Sequence, residues 1–278
     1  MFNIHKFNKF NKLNTFYYIE KLTFLVLVLE FVLGLGIDDV GIVSVKDYKS
    51  PKSPALENIF PGAKSLVVLA YKELSNCESE NMQIAMGGRL DTMEFARSCN
   101  YKLARFLDRE LGAKAMTVSP SYPLHMSVET KGTIGDVSLR HAAVAAGLGN
   151  FGRHNLVIHP KMGSRVVFTA AITNLDLPSD PPVSDKLCTD CNACVENCPV
   201  GALNDEGKTD DMKCLKNSQP YGIGGSIRFW AKFAESTTED QKKMVKDVNF
   251  WRLYQAAFIG FQYFCFNCIK SCPVGQKE

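Results

Sequence analysis

The chain has 278 residues, 46% of them hydrophobic and 22% charged, with 32 basic against 29 acidic side chains and a net charge of +3. This composition excludes a disordered chain, a collagen and a low-complexity array, and it supplies enough apolar residues for one large domain or two modest ones. From Lys186 onward 12 basic residues face 11 acidic ones, so neither half has the one-sided basic charge of a nucleic-acid binder.

In chain order, residues 1–21 open with an Asn/Lys-rich stretch and read as a flexible extension. Leu22 to Ile37 is apolar but only sixteen residues long and interrupted by Glu30. A spanning helix needs about twenty such residues, and a signal peptide would place its apolar run earlier and follow it with a cleavage site. A buried helix and no membrane contact are expected. Val40–Val45 predicts a strand, and Pro51, Pro54 and Pro61-Gly62 predict a loop. Ser65–Ala70 is a continuous β-rich run of the kind found in parallel sheets. Between Asp91 and Leu111, Ala96, Cys99, Leu103, Phe106 and Leu107 recur at helical spacing, and Gly112 marks the stop. Ala113–Val118 predicts a strand and Leu139–Ala146 a helix closed by Gly147. Leu156–His159 and Arg165–Thr173 predict a hairpin across the Pro160-Lys161-Met162-Gly163 turn. This alternation argues for an α/β layer over residues 22–180. Leu175–Lys186, with Pro178, Pro181 and Pro182, reads as a linker into a second domain at 181–278, which holds a long helix from about Glu239 to Phe258.

Eight of the ten cysteines lie in that second domain. Such clustering in a chain of this length points to metal chemistry in a reducing compartment rather than to a secreted disulfide scaffold, so a cytoplasmic location is expected. Cys188, Cys191, Cys194 and Cys198 follow C-x2-C-x2-C-x3-C, with Pro199 directly after. Three thiolates two residues apart can wrap one face of a cubane, while the fourth points to a second cluster. Cys265, Cys268 and Cys272-Pro273 repeat the last three positions, and Cys214 supplies the missing first one. One cluster then takes Cys188, Cys191, Cys194 and Cys272, and the other takes Cys198, Cys214, Cys265 and Cys268. This is the crossed pattern of two-cluster bacterial ferredoxins. Zinc also accepts four thiolates, but its paired motifs usually stand apart. Cys99 is expected in the core. Cys77, in a polar loop, is a candidate reactive thiol.

The other informative stretch is Gly147-Leu148-Gly149-Asn150-Phe151-Gly152-Arg153-His154-Asn155. Its glycines mimic a dinucleotide fingerprint but follow a helix instead of a strand, the wrong context for one. They suit a close approach of backbone to a flat ligand or a cluster. The Ala-Gly-Leu-Gly-x-Phe-Gly-Arg-x-Asn segment, the Gly163-Ser164-Arg165 turn, the opening Gly36-Ile37-Asp38-Asp39-Val40-Gly41 and the split double-cluster tail resemble the epoxyqueuosine reductase family and its relatives, the reductive dehalogenases. The resemblance implies an α/β (α+β) nitroreductase-like core followed by a two-cluster [4Fe-4S] ferredoxin-like module. It also implies a cobalamin beside the proximal cluster, with Gly147, Leu148, Gly149, Phe151, Gly152, Arg153, Asn155, Ser164 and Arg165 lining or supporting its pocket. The chain departs from the family where Asn150 replaces Trp, Arg153 replaces Lys and Thr133 replaces an acid, and the last departure argues against the queuosine activity itself.

Proton donors are sought among Tyr122, His125 and Asp136, with Glu129, Lys131 and His141 beside them. The expected function is an iron–sulfur oxidoreductase acting on a small-molecule substrate. Its electrons would come from a low-potential donor of ferredoxin or flavodoxin type, and nucleic acid is not expected as a partner. The alternative is an electron-transfer protein without a catalytic cofactor of its own.

Overall fold

The computed structural model describes residues 4–120, 124–125, 127–130, 132–204, 206–259 and 264–276, with the backbone alone for 4–18 and 259. Its centre is a four-stranded sheet of β1 (Asp39–Ser44), β2 (Ser65–Lys72), β3 (Ala115–Val118) and β6 (Val166–Thr173), in the order β1-β2-β6-β3. Every neighbouring pair is antiparallel, which corrects the parallel pairing expected from the apolar run at Ser65–Ala70. That run has a different cause, because β2 is covered on both faces. Leu66, Val68 and Ala70 enter one core with the short helix α4 (Leu139–Ala145), while Val67, Leu69 and Tyr71 enter a second core with α1 (Ile4–Gly34) and α3 (Met82–Arg109). Side chains alternate between faces along a strand, so a strand buried twice has no polar positions left.

The α1 helix begins at Ile4, inside the stretch read as a flexible extension. It buries Val28 and Val32 and stacks Phe31 on Phe106 at 4.1 Å between ring centroids. Leu22, Val26, Leu27 and Leu33 remain exposed, so the expected buried helix is buried along one stripe only. The α3 helix starts well before Asp91, where the Asn81 side chain accepts from the Gln83 and Ile84 N–H groups and caps it. Its inner face carries Ala96, Cys99, Leu103 and Leu107, all fully buried. Leu103→Ala is expected to cost about 2–5 kcal/mol, measured as a lower denaturant midpoint at unchanged slope.

The expected hairpin pairs differently. The short strand β5 (Val157–Ile158) pairs with β4 (Asn150–Phe151), and the turn after it closes on itself through a His159–Gly163 bridge. The strand β6 is thereby free to run up the middle of the main sheet. In the tail, α5 (Ala193–Glu196), α6 (Asp211–Ser218) and α10 (Asn267–Lys270) carry Cys194, Cys214 and Cys268, and α7 (Ile223–Glu235), α8 (Thr238–Met244) and α9 (Val248–Ile259) stand between α6 and α10 in the chain. The expected long helix is broken between α8 and α9, where the Asp247 carboxylate accepts from the Asn249 N–H and starts a new turn. Among the described residues no helix is long and apolar enough to cross a membrane.

Candidate metal centre and adjoining cleft

The loop ahead of α5 coils tightly because Asp190 and Asn192 both take left-handed conformations, at φ 54° and 59°. The coil brings Cys188, Cys191 and Cys194 around one cavity, and Cys272, arriving from the far end of the tail, completes its rim. Burial pushes the Cys194 thiol up, and the neighbouring Cys188, Cys272 and Cys191 push it further. A second cavity is lined by Cys198, Cys214, Cys265 and Cys268. Burial, followed by Cys265, Cys214, Cys194 and Cys198, pushes the Cys268 thiol up to about 12. Such mutual repulsion is what a cation removes.

Cys198 behaves oppositely. Burial pushes its thiol up, but the N–H groups of Val200, Ala202, Leu203 and Gly201 together outweigh that and hold it below the usual thiol value. The Ala202 N–H donates to its sulfur at 3.2 Å. Pro199-Val200-Gly201 therefore turns a row of amides toward the sulfur, a ready environment for a thiolate. Among the described residues, no three Cys, His or carboxylate side chains converge to the spacing that a single metal ion needs.

The tail docks on the core through the Gly163-Ser164-Arg165 turn. The Ser164 hydroxyl donates to the Ile269 carbonyl at 3.1 Å. The Arg165 guanidinium donates to the Cys272 carbonyl at 3.1 Å, to the Lys270 carbonyl at 3.0 Å and to the Glu78 carboxylate. Gly163 has φ +61°, and a Cβ there would stand 1.8 Å from the Val274 carbonyl oxygen, so only glycine fits. Beside this contact, Phe266 and Ile269 bury themselves against Cys77 and Ala85, with Arg89 over the Phe266 ring at 5.2 Å.

A much larger cleft, about 1700 Å³ including the space open to solvent, lies between the sheet and the tail. Thr133, Ser138, Arg140, His141, Asn155 and Asp211 supply its polar lining. Arg140, Asn155, Leu156 and Asp211 also border the second thiol cavity, so the two spaces adjoin. His141 faces the cleft with its Nδ1 2.7 Å from the Ser138 hydroxyl, and burial holds its imidazole below the ordinary histidine value.

Of the nine residues expected at a corrinoid pocket, Asn155 alone lines this cleft. Gly147 lies against the Pro181 carbonyl and Gly149 against that of Ile158, while Leu148 is in the core. Phe151 packs on His141, with ring centroids 4.9 Å apart. Gly152 makes room for the His154 ring. Arg153 reaches Asp190 at 3.1 Å and clips the first cysteine loop to the core. Arg153, Ser164 and Arg165 seat the cysteine tail, while the glycines pack against the protein's own backbone and the His154 ring.

The proton-donor candidates fare similarly. Tyr122 and Lys131 lie outside the described residues. His125, Glu129 and Asp136 are exposed, and none of the three borders the cleft. Thr133 does border it, but its hydroxyl donates to the Thr130 carbonyl at 2.7 Å. Cys77 is buried and its thiol is pushed up to about 11, by burial and then by Glu73 and Glu78. That removes the reactive-thiol expectation, since the thiolate is the nucleophile. Cys99 is in the core as expected. Asp211 and Arg140 reach the cleft without any signal in the sequence. Asp211 reads there only as a first-turn acid behind the Asp210 cap.

Residues 181–204 match the family model for the 4Fe-4S binding domain. An epoxyqueuosine reductase of Bacillus cereus is 28% identical over 214 residues, 68% of this chain and 54% of that protein. This chain resembles the epoxyqueuosine reductases. It spans about half the length of the curated relatives it matches. A solved epoxyqueuosine reductase in complex with an epoxyqueuosine-modified tRNA-Tyr stem loop superposes with a TM-score of 0.59 at 18% identity, over 92% of this chain and 66% of that one. A reductive dehalogenase whose structure suggests a mechanism for B12-dependent dehalogenation superposes with a TM-score of 0.55 at 19% identity, over 69% of this chain and 28% of that one. The nucleic acid in that complex stands against the expectation, drawn from balanced charge, that nucleic acid is no partner.

Proposed function

We propose that this chain is an iron–sulfur oxidoreductase in which the eight tail cysteines hold two [4Fe-4S] clusters beside a cleft for a cobalamin and a reducible substrate. The observation that carries the reading is the partition of the thiols. Two separate cavities are each bordered by four sulfurs, and each set borrows from both cysteine motifs. The unbroken C-x2-C-x2-C-x3-C run from Cys188 to Cys198 favours a four-iron cage over a single zinc ion, whose paired motifs usually stand apart. The α/β layer is read as the nitroreductase-like core, on the strength of the cleft it forms with the tail.

The protein's own residues set the order of its sites. Cys191 is the one exposed thiol of the eight, and a ferredoxin- or flavodoxin-type donor would reach the first cavity there. The second cavity adjoins the cleft. When bound, the clusters supply single-electron relay and the corrinoid a low-valent metal centre for the reduction. Without the space open to solvent the cleft is about 610 Å³, within the roughly 300–1,000 Å³ of ordinary small-molecule pockets. Arg140 and Asn155 border both the cleft and the second cage, and they would hold the ligand at that edge. His141, oriented by Ser138, would deliver a proton into the cleft, which Asp211 also borders. The substrate is open between a small molecule and a modified tRNA base, the latter raised by the named activity of the similar enzymes.

Iron, sulfide, zinc and cobalt analysis of protein purified without oxygen tests the reading, followed by visible spectroscopy on adding cobalamin and a tRNA-binding titration. About eight irons with matching sulfide are expected, with a cobalamin spectrum that changes on binding. Zinc in place of iron would overturn the clusters, and eight irons without corrinoid affinity would leave the electron-transfer reading. That second reading has Thr133 in its favour, whose hydroxyl is spent on a turn.

A further inference from the structure

His154 sits between the two thiol cavities and borders both. It is 4% exposed. The Leu156 N–H donates to its Nδ1 at 3.1 Å, so that nitrogen is an acceptor and the ring's proton is on Nε2. Nε2 is buried without a hydrogen-bond partner. Nature rarely leaves such a donor unpaired. The ring's position is enforced from behind, because a Cβ on Gly152 would stand 2.6 Å from the imidazole Cε1. The glycine lets the ring fold back against the chain, at the boundary that the two cavities share. Cys194 and Cys268, one from each set, are close enough to influence one another electrostatically.

We propose that His154 is a potential-setting residue, whose Nε2–H donates to a sulfur of one of the two clusters and makes that cluster the easier of the pair to reduce. The inference rests on the two-cluster reading and deepens it. A reduced cluster carries one more negative charge than an oxidised one, so a fixed donor aimed at its sulfur stabilises the reduced form more. Because the donor reaches one cage, the two clusters part in potential and transfer between them acquires a direction. This role needs no substrate and no corrinoid.

The test is an EPR-monitored redox titration of the anaerobic holoprotein and of His154→Leu and His154→Gln, each first assayed for iron and sulfide. In His154→Leu one cluster is expected to lose about tenfold in its reduced-to-oxidised ratio at fixed solution potential, a shift of about 59 mV to lower potential, while the other moves much less. His154→Gln, which keeps an N–H donor, is expected to recover part of the shift. Gly152→Ala, which pushes the ring without removing it, is expected to lower the same potential. Independently of any variant, pulsed EPR on reduced wild-type protein with ¹⁵N-labelled histidine is expected to show a nitrogen coupling to one cluster. Unchanged potentials in His154→Leu, or no histidine coupling in the wild type, would overturn the inference with the clusters intact. If the variant fails to assemble, the coupling measurement decides alone. Protein without iron and sulfide would instead overturn the two-cluster reading beneath it.

Discussion

Cys198→Ala and Cys272→Ala are each expected to remove one cluster and spare the other, halving the iron from about eight to about four per chain. The informative part is which cluster each removes. Cys198 stands in the first motif but borders the second cavity, and Cys272 stands in the second motif but borders the first. Pairing resolves this. Cys191→Ala combined with Cys272→Ala should lose no more iron than either alone, since both empty one cage. Cys191→Ala combined with Cys198→Ala should lose nearly all of it. If Cys191→Ala with Cys198→Ala still retained half the iron, each motif would be serving its own cluster, and the crossed arrangement would be wrong.

Arg165→Ala is the substitution outside the cysteines from which the largest effect is expected. The side chain is 6% exposed and satisfies the carbonyls of Lys270 and Cys272 together with the Glu78 carboxylate. Removing it forfeits charge-assisted bonds to two largely buried carbonyls, a loss of roughly 3–6 kcal/mol at about 1.5–3 kcal/mol each, while the Glu78 carboxylate, 45% exposed, turns to water. The second motif would loosen on the core, and the cage that depends on Cys272 should be the first to lose iron. Denaturant midpoints of the anaerobic holoprotein and iron retention over time measure both. Arg165→Lys should recover little, because one ammonium cannot reproduce a fork spread over three partners. A midpoint within about 1 kcal/mol of wild type would show that the docking contact contributes little.

The cysteine grouping was legible in the sequence because spacing fixes reach. Two residues between thiols permit a shared cage, and the ligand count closes only when Cys214 is recruited. The helix from Asp91 and the strands at Val40, Ser65 and Ala113 were legible from periodicity and β-rich runs. Strand direction was not. A strand covered on both faces looks the same whether its neighbours run with it or against it, and nothing in Ser65–Ala70 records the difference. The glycine segment illustrates a different limit. Its composition announces that backbone comes close to something, and it does, but the something is the protein itself: Pro181, Ile158 and the ring of His154. Those neighbours lie further along the chain, from His154 just after Gly152 to Pro181 beyond β6, and the composition of the segment does not say which of them it meets. For the same reason Asp211 and Arg140, from different halves of the chain, gave no sign that they would meet at the cleft.

The segment after β6 has a role beyond connection. The Ser179 hydroxyl accepts from the Ser44 N–H at 2.8 Å, while the Asp180 carboxylate accepts from the Ile42 N–H and the Asp180 N–H donates to the Ile42 carbonyl. These bonds consume the outward-facing amides of β1, which lies at the margin of the sheet. Left bare, such a margin invites another molecule to add a strand. The proline-rich strap is therefore a selvedge, stitched along the fabric where it would otherwise fray into aggregates. A fragment ending before Leu175 would expose that seam.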